Sequence, residues 1–209
     1  FFKRDYKLIP STIENNFYPT TDEYIGKNIN GRKLLLLSNP CNPTGITRKE
    51  AELKELIEKA KASGNGILFD EAYEFFHTPP ISSLQFVNDI NNSNIFVAGA
   101  ATKGLQAPGI RIGWVVAAKK YIEVLGNFSS FGMGGVSQPS QLYALKLFDK
   151  KRIELARYSI SRFYDEQRKK YEKGFLELGL ELFSGDGGFY HWCKIPGNLT
   201  AEKLNEELF

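Results

Sequence analysis

Residues 32–45 read RKLLLLSNPCNPTG, and this stretch decides the fold class. Its four consecutive leucines would place apolar side chains on both faces of a strand, as in the interior of a parallel sheet. The following turn, residues 38–45, holds two prolines and ends in a glycine, so it stops the strand. The stretch predicts a buried strand whose carboxyl end carries a polar turn.

Downstream of this turn, helical and strand patterns alternate. Apolar residues at helical spacing predict an amphipathic helix over residues 47–63: Leu53, Leu56, Ile57 and Ala60. Thr47 and Glu50 have the spacing of a capping box for that helix. Further strands are expected at residues 67–70, 95–98 and 110–118. This alternation predicts an α/β domain built on a mostly parallel sheet.

The character of the chain changes after Gly135. Helices are expected over residues 137–148 and 152–178, strands over 180–183 and 188–195, and a last helix from Thr200. On the long helix, one face is expected to pack inward: Ile153, Ala156, Ile160, Phe163, Gln167 and Tyr171. We therefore divide the chain into part of a large domain, residues 1–150, and an interdomain helix with part of a smaller α+β domain, residues 151–209. Because the sequence starts Phe-Phe-Lys, with neither initiator Met nor signal-peptide pattern, we expect a fragment of a longer chain.

Composition excludes several classes of protein. The 209 residues are 42% hydrophobic with a net charge of +3, which is globular and too weakly basic to predict a nucleic-acid partner. No stretch approaches the roughly 20 apolar residues of a membrane span. The two cysteines, Cys41 and Cys193, do not form a disulfide framework. Such a low cysteine content favours a protein of the reducing cytoplasm. His77 and His191 lack metal-ligand spacing, so no metal is expected.

Three polar clusters follow predicted strands, at the edge where open α/β sheets bind ligands. They are the turn with Asn42, the segment Asp70-Glu-Ala-Tyr73, and Lys103 with Arg111 eight residues later. Each alone has an ordinary structural explanation: a turn, a helix cap with a packing tyrosine, or an ion pair on the surface. Taken together and in this order, the clusters are far more specific.

The order of the three motifs resembles that of the class I/II aminotransferases of pyridoxal-phosphate fold type I. The motifs are Asn-Pro-x-Asn-Pro-Thr-Gly, then Asp-x-Ala-Tyr, then the Lys and Arg pair. The resemblance covers roughly residues 30–200. It implies the large domain of that fold, pyridoxal 5'-phosphate as cofactor, and a homodimer. It also implies a transaminase that moves an amino group between an amino acid and a 2-oxo acid.

The resemblance assigns roles to six residues. Lys103 would hold the cofactor covalently and then shuttle the substrate proton, because a lysine pKa falls readily when the amine is desolvated. Asp70 would keep the cofactor's ring nitrogen protonated, which strengthens its withdrawal of electrons. Asn42 and Tyr73 would hydrogen-bond the ring's phenolic oxygen. Arg111 would clamp the phosphate with its planar fork, and Thr102 would be a further phosphate ligand.

Departures from the family pattern leave alternatives open. Ala100 stands where the family often has a serine that binds phosphate, and Thr102 would substitute for it only in part. Neither a glycine-rich phosphate cradle nor a ring-stacking aromatic residue is found among the 41 residues before Asn42, and no arginine follows residues 187–190 as a partner for the substrate carboxylate. The alternatives are a lyase or decarboxylase on the same scaffold, and a non-catalytic remnant.

The loop Gly132-Met-Gly-Gly-Val-Ser137 lacks the ending of a nucleotide-binding loop, so we expect a flexible connection there.

Overall fold

A four-stranded sheet forms the centre of the protein in its computed structural model, which describes residues 5–26 and 33–209. The strands are β1 (Leu34–Ser38), β2 (Gly66–Asp70), β3 (Ile95–Ala100) and β4 (Gly113–Val116), and they lie side by side in that order. β1, β2 and β3 are parallel, whereas β4 runs antiparallel to β3. The predicted α/β fold with a mostly parallel sheet is confirmed.

The register of this sheet brings the polar clusters to one edge. Ser38 pairs with Asp70, and Asp70 pairs with Ala98, so β1, β2 and β3 end close together. Because β4 is antiparallel, its first residue Gly113 pairs with Ala100 at the end of β3. The segments after β1, β2 and β3 and the segment before β4 therefore share the carboxyl edge.

Among the described residues there are also six α-helices, several short 3-10 helices and a small second sheet. The helices are α1 (Thr21–Ile25), α2 (Glu50–Ala62), α3 (Lys119–Phe128), α4 (Gln138–Leu147), α5 (Lys150–Glu177) and α6 (Ala201–Leu208). The second sheet pairs β5 (Glu181–Leu182) with β6 (Cys193–Lys194) in antiparallel fashion. Within residues 5–26 and 33–209, no helix has the length and apolar character to cross a membrane.

One of the two hydrophobic core clusters lies between α2 and the sheet, and the other contains Tyr73 and Ile160. The four residues predicted to face inward from α2 are all buried, and they pack against side chains of β2 and β3: Ile67, Phe69, Ile95 and Val97. These aliphatic and aromatic side chains each contribute roughly 1.5–3 kcal/mol on burial. The amphipathic pattern of the sequence thus predicted the packing of this helix correctly.

The start of α2 differs from the prediction. The helix begins at Glu50, and the backbone N–H of Lys49 donates to Glu52 at 3.1 Å. Thr47 donates instead to the carbonyl oxygen of Gly45 at 3.3 Å, so the Thr47–Glu50 capping box was wrong. Just before the helix, the buried side chain of Asn39 accepts from the backbone N–H of Arg48 at 2.7 Å, and the extended Lys49 precedes the first helical residue.

Two further predictions for the later part of the chain were wrong in part. Of the face predicted to pack inward on α5, Ile160 is buried and Ile153 and Ala156 pack against the same core cluster, but Phe163 and Tyr171 are each 53% exposed. Arg168 is buried in their place, because its guanidinium binds two backbone carbonyls of neighbouring segments. Most of residues 188–195 are also not a strand, since only Cys193–Lys194 pairs with β5.

Residues 119–136 contain an element that the sequence analysis missed. Helix α3 continues into a π-helical turn at Ser129–Met133, and only the residues after it are irregular up to α4. The signal was present as apolar residues at helical spacing, Tyr121, Ile122 and Leu125. The division into domains at residue 150 stays a prediction, although α5 begins there.

Candidate active site

The turn after β1 holds two asparagines, the buried Asn39 and the predicted cofactor-binding residue Asn42. Asn39 is 1% exposed, and its side chain accepts from the backbone N–H of Arg48 and donates to the carbonyl oxygen of the same residue. This pair of bonds ties the turn to the start of α2. Asn42 is exposed and projects its amide toward the site, with Nδ2 3.4 Å from the hydroxyl of Tyr73.

Tyr73 lies at the middle of the cluster. Its side chain is buried, and its ring packs edge-on against Phe76 with the centroids 5.6 Å apart. Burial raises the pKa of the Tyr73 hydroxyl, the contact with Tyr190 raises it further, and so does the charge of Asp70. Tyr73 is therefore a neutral phenol at physiological pH, able to donate a hydrogen bond.

Lys103 holds its amine against aromatic rings. Its Nζ lies 4.9 Å from the ring centroid of Phe189 and 5.5 Å from that of Tyr73. Such contacts stabilise an ammonium group by about 0.5–2 kcal/mol. Across residues 5–26 and 33–209, no carboxylate lies within ion-pair distance of this amine. A lysine amine is thus fixed beside Tyr73 without an acid to neutralise it.

Asp70 is the last residue of β2 and is exposed at the sheet edge. One of its oxygens accepts from the backbone N–H of Ala72 at 3.1 Å, which orients the carboxylate. No cationic side chain of the described residues forms an ion pair with it. The charge of Asp70 contributes to the raised pKa of Tyr73, and the amine of Lys103 lies over the ring of the same tyrosine.

Arg111 and Thr102 lie at the same edge but outside this cluster. The backbone N–H of Ala101 donates to the carbonyl oxygen of Ile112 at 3.1 Å, so the Lys103 and Arg111 segments are neighbours. Arg111 is exposed, has a left-handed backbone with φ 53°, and donates to the carbonyl oxygen of Pro108 at 2.9 Å. Within the part of the chain described, no hydrogen bond or ion pair joins Arg111 or Thr102 to Asn42, Asp70, Tyr73 or Lys103.

Three groups of this site that have few partners in the protein match separate groups of pyridoxal phosphate. Asp70 has no cationic partner and complements a protonated ring nitrogen. Lys103 has no acid partner and complements an aldehyde, with which a lysine amine forms a covalent bond. The Arg111 guanidinium binds a single backbone carbonyl, which leaves donors for a phosphate. The sequence before Asn42 shows no phosphate cradle, and residues 1–4 and 27–32 of that stretch lie outside the described residues.

Phe189 and Tyr190 belong to the cluster although the sequence analysis gave them no role. Phe189 contacts Lys103, and the Tyr190 hydroxyl lies 3.5 Å from that of Tyr73. Their segment reaches the site because Arg168 donates to the carbonyl oxygens of Phe76 at 3.0 Å and Gly188 at 2.8 Å. The glycines at 185, 187 and 188 were the available signal, since they permit close approach of two backbones.

An ion cluster lies where the segment just before Phe189 meets the start of α2. The carboxylate of Asp186 accepts from Lys49 Nζ at 2.8 Å and lies 3.3 Å from His77 Nε2. Burial alone would raise the pKa of Asp186, but the hydrogen bonds from His77 and Lys49 outweigh it and hold this pKa well below its usual value. Asp186 is half exposed, so we attribute to it a modest contribution to stability.

Comparison with known proteins places this arrangement in a family. The model of the class I and II aminotransferases matches residues 5–209. An aspartate aminotransferase of Pyrococcus horikoshii is 27% identical over 208 residues, which are 96% of this chain and 51% of the relative. A 1-aminocyclopropane-1-carboxylate synthase of Solanum lycopersicum is 26% identical over 183 residues, or 84% of this chain and 38% of the relative.

A solved structure shares the fold. The aromatic aminotransferase of Pyrococcus horikoshii superposes with a TM-score of 0.83 at 24% identity, covering 96% of this chain and 54% of that chain. The chain spans about half the length, or less, of the relatives it matches. With a matching family model along almost its whole length, the chain belongs to the class I and II aminotransferase family.

Proposed function

We propose that this chain serves pyridoxal-phosphate-dependent amino transfer between an amino acid and a 2-oxo acid. The observation that carries the proposal is the placement of Lys103 against the ring of Tyr73, whose hydroxyl is bound by Asn42. This cluster lies at the carboxyl edge of the sheet, where α/β folds bind their ligands. The aspartate aminotransferase name of one relative supports the same reaction.

Each residue of the cluster has a task in such a reaction. When bound, the cofactor supplies an electron sink that stabilises negative charge on the substrate's α-carbon. Lys103 binds the cofactor and moves a proton at that carbon, a task that suits an amine held without an acid partner. Asp70 holds a proton on the ring nitrogen by its charge. Asn42 and Tyr73 donate hydrogen bonds to the ring's phenolic oxygen and fix the tilt of the ring.

Arg111 and Thr102 would bind the phosphate group. Both come from segments at the edge where β3 ends and β4 begins. Ala100 contributes no donor there, so we propose that Arg111 makes the dominant phosphate contact through its bidentate fork.

We also propose that the chain acts as a homodimer. A large apolar surface is exposed from the π-helical turn to α4, where Phe131 is 96% and Met133 75% exposed. An exposed apolar patch of this kind marks a protein interface. A second copy of the chain is the occupant that the family resemblance supports.

A cytoplasmic location is the accompanying proposal. Cys41 and Cys193 are free thiols in the structure, and unpaired cysteines are typical of proteins kept in a reducing compartment.

Lyase or decarboxylase chemistry is the second candidate, because one relative carries a synthase name. Such reactions share the cofactor residues and differ in what is released. The purified protein is incubated with pyridoxal phosphate, a mixture of amino acids and 2-oxoglutarate. Keto-acid-dependent appearance of glutamate supports amino transfer, whereas ammonia or CO2 release without keto acid supports the second candidate.

Lys103→Ala is the control for this assay. It removes the amine and leaves the fold's packed residues unchanged, so it should abolish either activity. Activity that survives in Lys103→Ala would contradict the proposed site, and absence of any product from the unmodified protein would favour a non-catalytic remnant.

A further inference from the structure

We propose that Tyr190 is a positioning residue for Tyr73, with its hydroxyl and the amide of Asn42 together fixing the Tyr73 hydroxyl. This inference rests on the proposed function, since the ligand that Tyr73 serves is the cofactor. The two tyrosine hydroxyls lie 3.5 Å apart, and the two rings meet edge-on with centroids 6.2 Å apart. The residues are 117 positions apart in sequence, so the fold creates the contact.

The hydrogen-bonding capacity of a phenol explains what this contact does. A tyrosine hydroxyl has one proton to donate and lone pairs that accept. The Asn42 amide nitrogen can only donate, and it does so to Tyr73 at 3.4 Å. When Tyr190 also donates, both lone-pair positions of Tyr73 are filled. The proton of Tyr73 is then free for a ligand oxygen placed beside Lys103.

Backbone contacts fix the position of the segment that carries Tyr190. Three residues earlier, the backbone N–H of Gly187 donates to the carbonyl oxygen of Gly45 at 2.7 Å. Arg168 holds the carbonyl oxygen of Gly188 at 2.8 Å. The Tyr190 ring packs on Phe189 with the centroids 4.4 Å apart. A hydroxyl carried on a segment anchored in this way can define the position of its partner.

Packing alone does not account for a tyrosine at position 190. A phenylalanine ring would make the same ring contacts with Phe189 and Tyr73. What the tyrosine adds is a hydroxyl that reaches the Tyr73 hydroxyl. Contact with Tyr190 raises the pKa of Tyr73, the effect of Tyr73 donating to Tyr190. Either hydroxyl can be the donor, so Tyr190 can donate in return when Tyr73 turns its proton to a ligand.

The test is a pH titration of the visible absorbance of the protein loaded with pyridoxal phosphate. Tyr190→Phe removes the hydroxyl and keeps the ring. Without it, Tyr73 becomes a weaker donor to the phenolic oxygen of the ligand, and negative charge on that oxygen is stabilised less. The pH midpoint of the absorbance change should rise by about 0.2–0.5 pH units, the size expected when one bond in a hydrogen-bonded chain is lost.

Two comparison variants isolate the path of the effect. Tyr164→Phe removes a hydroxyl from the same aromatic cluster, where Tyr164 packs on Phe76 and Phe189, and should leave the midpoint unchanged. In a Tyr73→Phe background, Tyr190→Phe should produce no further shift, because the group through which it acts is gone.

The outcomes separate this inference from the proposed function. A shift in Tyr190→Phe that vanishes in the Tyr73→Phe background supports the positioning role. Cofactor bound to the protein with an unchanged midpoint in Tyr190→Phe, or with the same shift in Tyr164→Phe, overturns this inference and leaves the proposed function intact. Failure of the unmodified protein to bind pyridoxal phosphate overturns the proposed function and this inference with it.

Discussion

The backbone N–H of Gly187 donates to the carbonyl oxygen of Gly45 at 2.7 Å, and this bond joins the last quarter of the chain to the turn that carries Asn42. A second bond, from the N–H of Gly185 to the carbonyl oxygen of Thr44 at 2.8 Å, runs beside it. Since Phe189 and Tyr190 follow directly, this junction determines whether aromatic side chains reach Lys103. The site therefore depends on two segments about 140 residues apart in the sequence.

Gly187→Ala should destabilise this junction. A Cβ at this position would lie 2.5 Å from Pro40 Cβ and 2.5 Å from Thr47 Oγ1, closer than real contacts allow. We expect the free energy of unfolding to fall by about 1–3 kcal/mol, the usual cost of overpacking, as measured by urea denaturation. Gly126→Ala is the matched control, because nothing lies within 4 Å of its Cβ and it should stabilise α3 by about 0.5–1 kcal/mol. Equal stability of Gly187→Ala and the unmodified protein would refute the close approach.

Glu74→Gln should stabilise the protein at high pH. Burial raises the pKa of Glu74 to about 7, the charge of Glu71 adds to the rise, and Arg157 opposes it. Between the ordinary value of 4.5 and about 7 the folded state binds the extra proton, so this group's contribution to stability falls as pH rises. We expect the free energy of unfolding of Glu74→Gln to be about 1–3 kcal/mol higher than that of the unmodified protein at pH 8. At pH 4 we expect the two free energies to be equal.

Denaturation curves at pH 4, 6 and 8 measure this dependence. Glu58→Gln, on the exposed face of α2, controls for the loss of one negative charge. An advantage for Glu74→Gln that is the same at all three pH values would contradict the raised pKa.

Phe131→Asp should weaken self-association. Phe131 is 96% exposed in the apolar surface that we propose as the homodimer interface, and an aspartate there would bury a charge. The dimer dissociation constant should rise at least about 10-fold, as measured by sedimentation velocity over a range of concentrations. Leu155→Asp, on α5 and 65% exposed, is the control and should leave the constant unchanged. A protein that is monomeric throughout this range would contradict the proposed interface. So would a Phe131→Asp variant with an unchanged dissociation constant.

Much of the fold was predictable because its signals are local. The strand β1 and the inward face of α2 lie in uninterrupted patterns, and the structure confirmed both elements. The burial predicted for β1 was wrong, because this strand lies at the edge of the described sheet, where Leu34 is 55% and Leu36 66% exposed. The start of α2 was not predictable, because Asn39 fixes it through a bond to Arg48 nine residues away. The inward face of α5 was misjudged for a similar reason. Arg168 is buried by partners from distant segments, which no helical periodicity reveals.

The candidate site divides in the same way. Asn42, Asp70, Tyr73 and Lys103 were found because each lies at or just after the end of a strand, and the parallel register brings such positions together. The roles of Phe189 and Tyr190 could not be read from the sequence, because they depend on the backbone contact between Gly187 and Gly45. Sequence reasoning therefore found the residues carried by the sheet and missed those carried by the docking of a second segment.

The most direct test of the account is covalent trapping of pyridoxal phosphate on the protein. The protein is mixed with the cofactor, reduced with borohydride and digested, and the labelled peptide is identified by mass spectrometry. We expect label on Lys103, whose amine lies against Tyr73, and none in Lys103→Ala. Label on another lysine with Lys103 unmodified would contradict it.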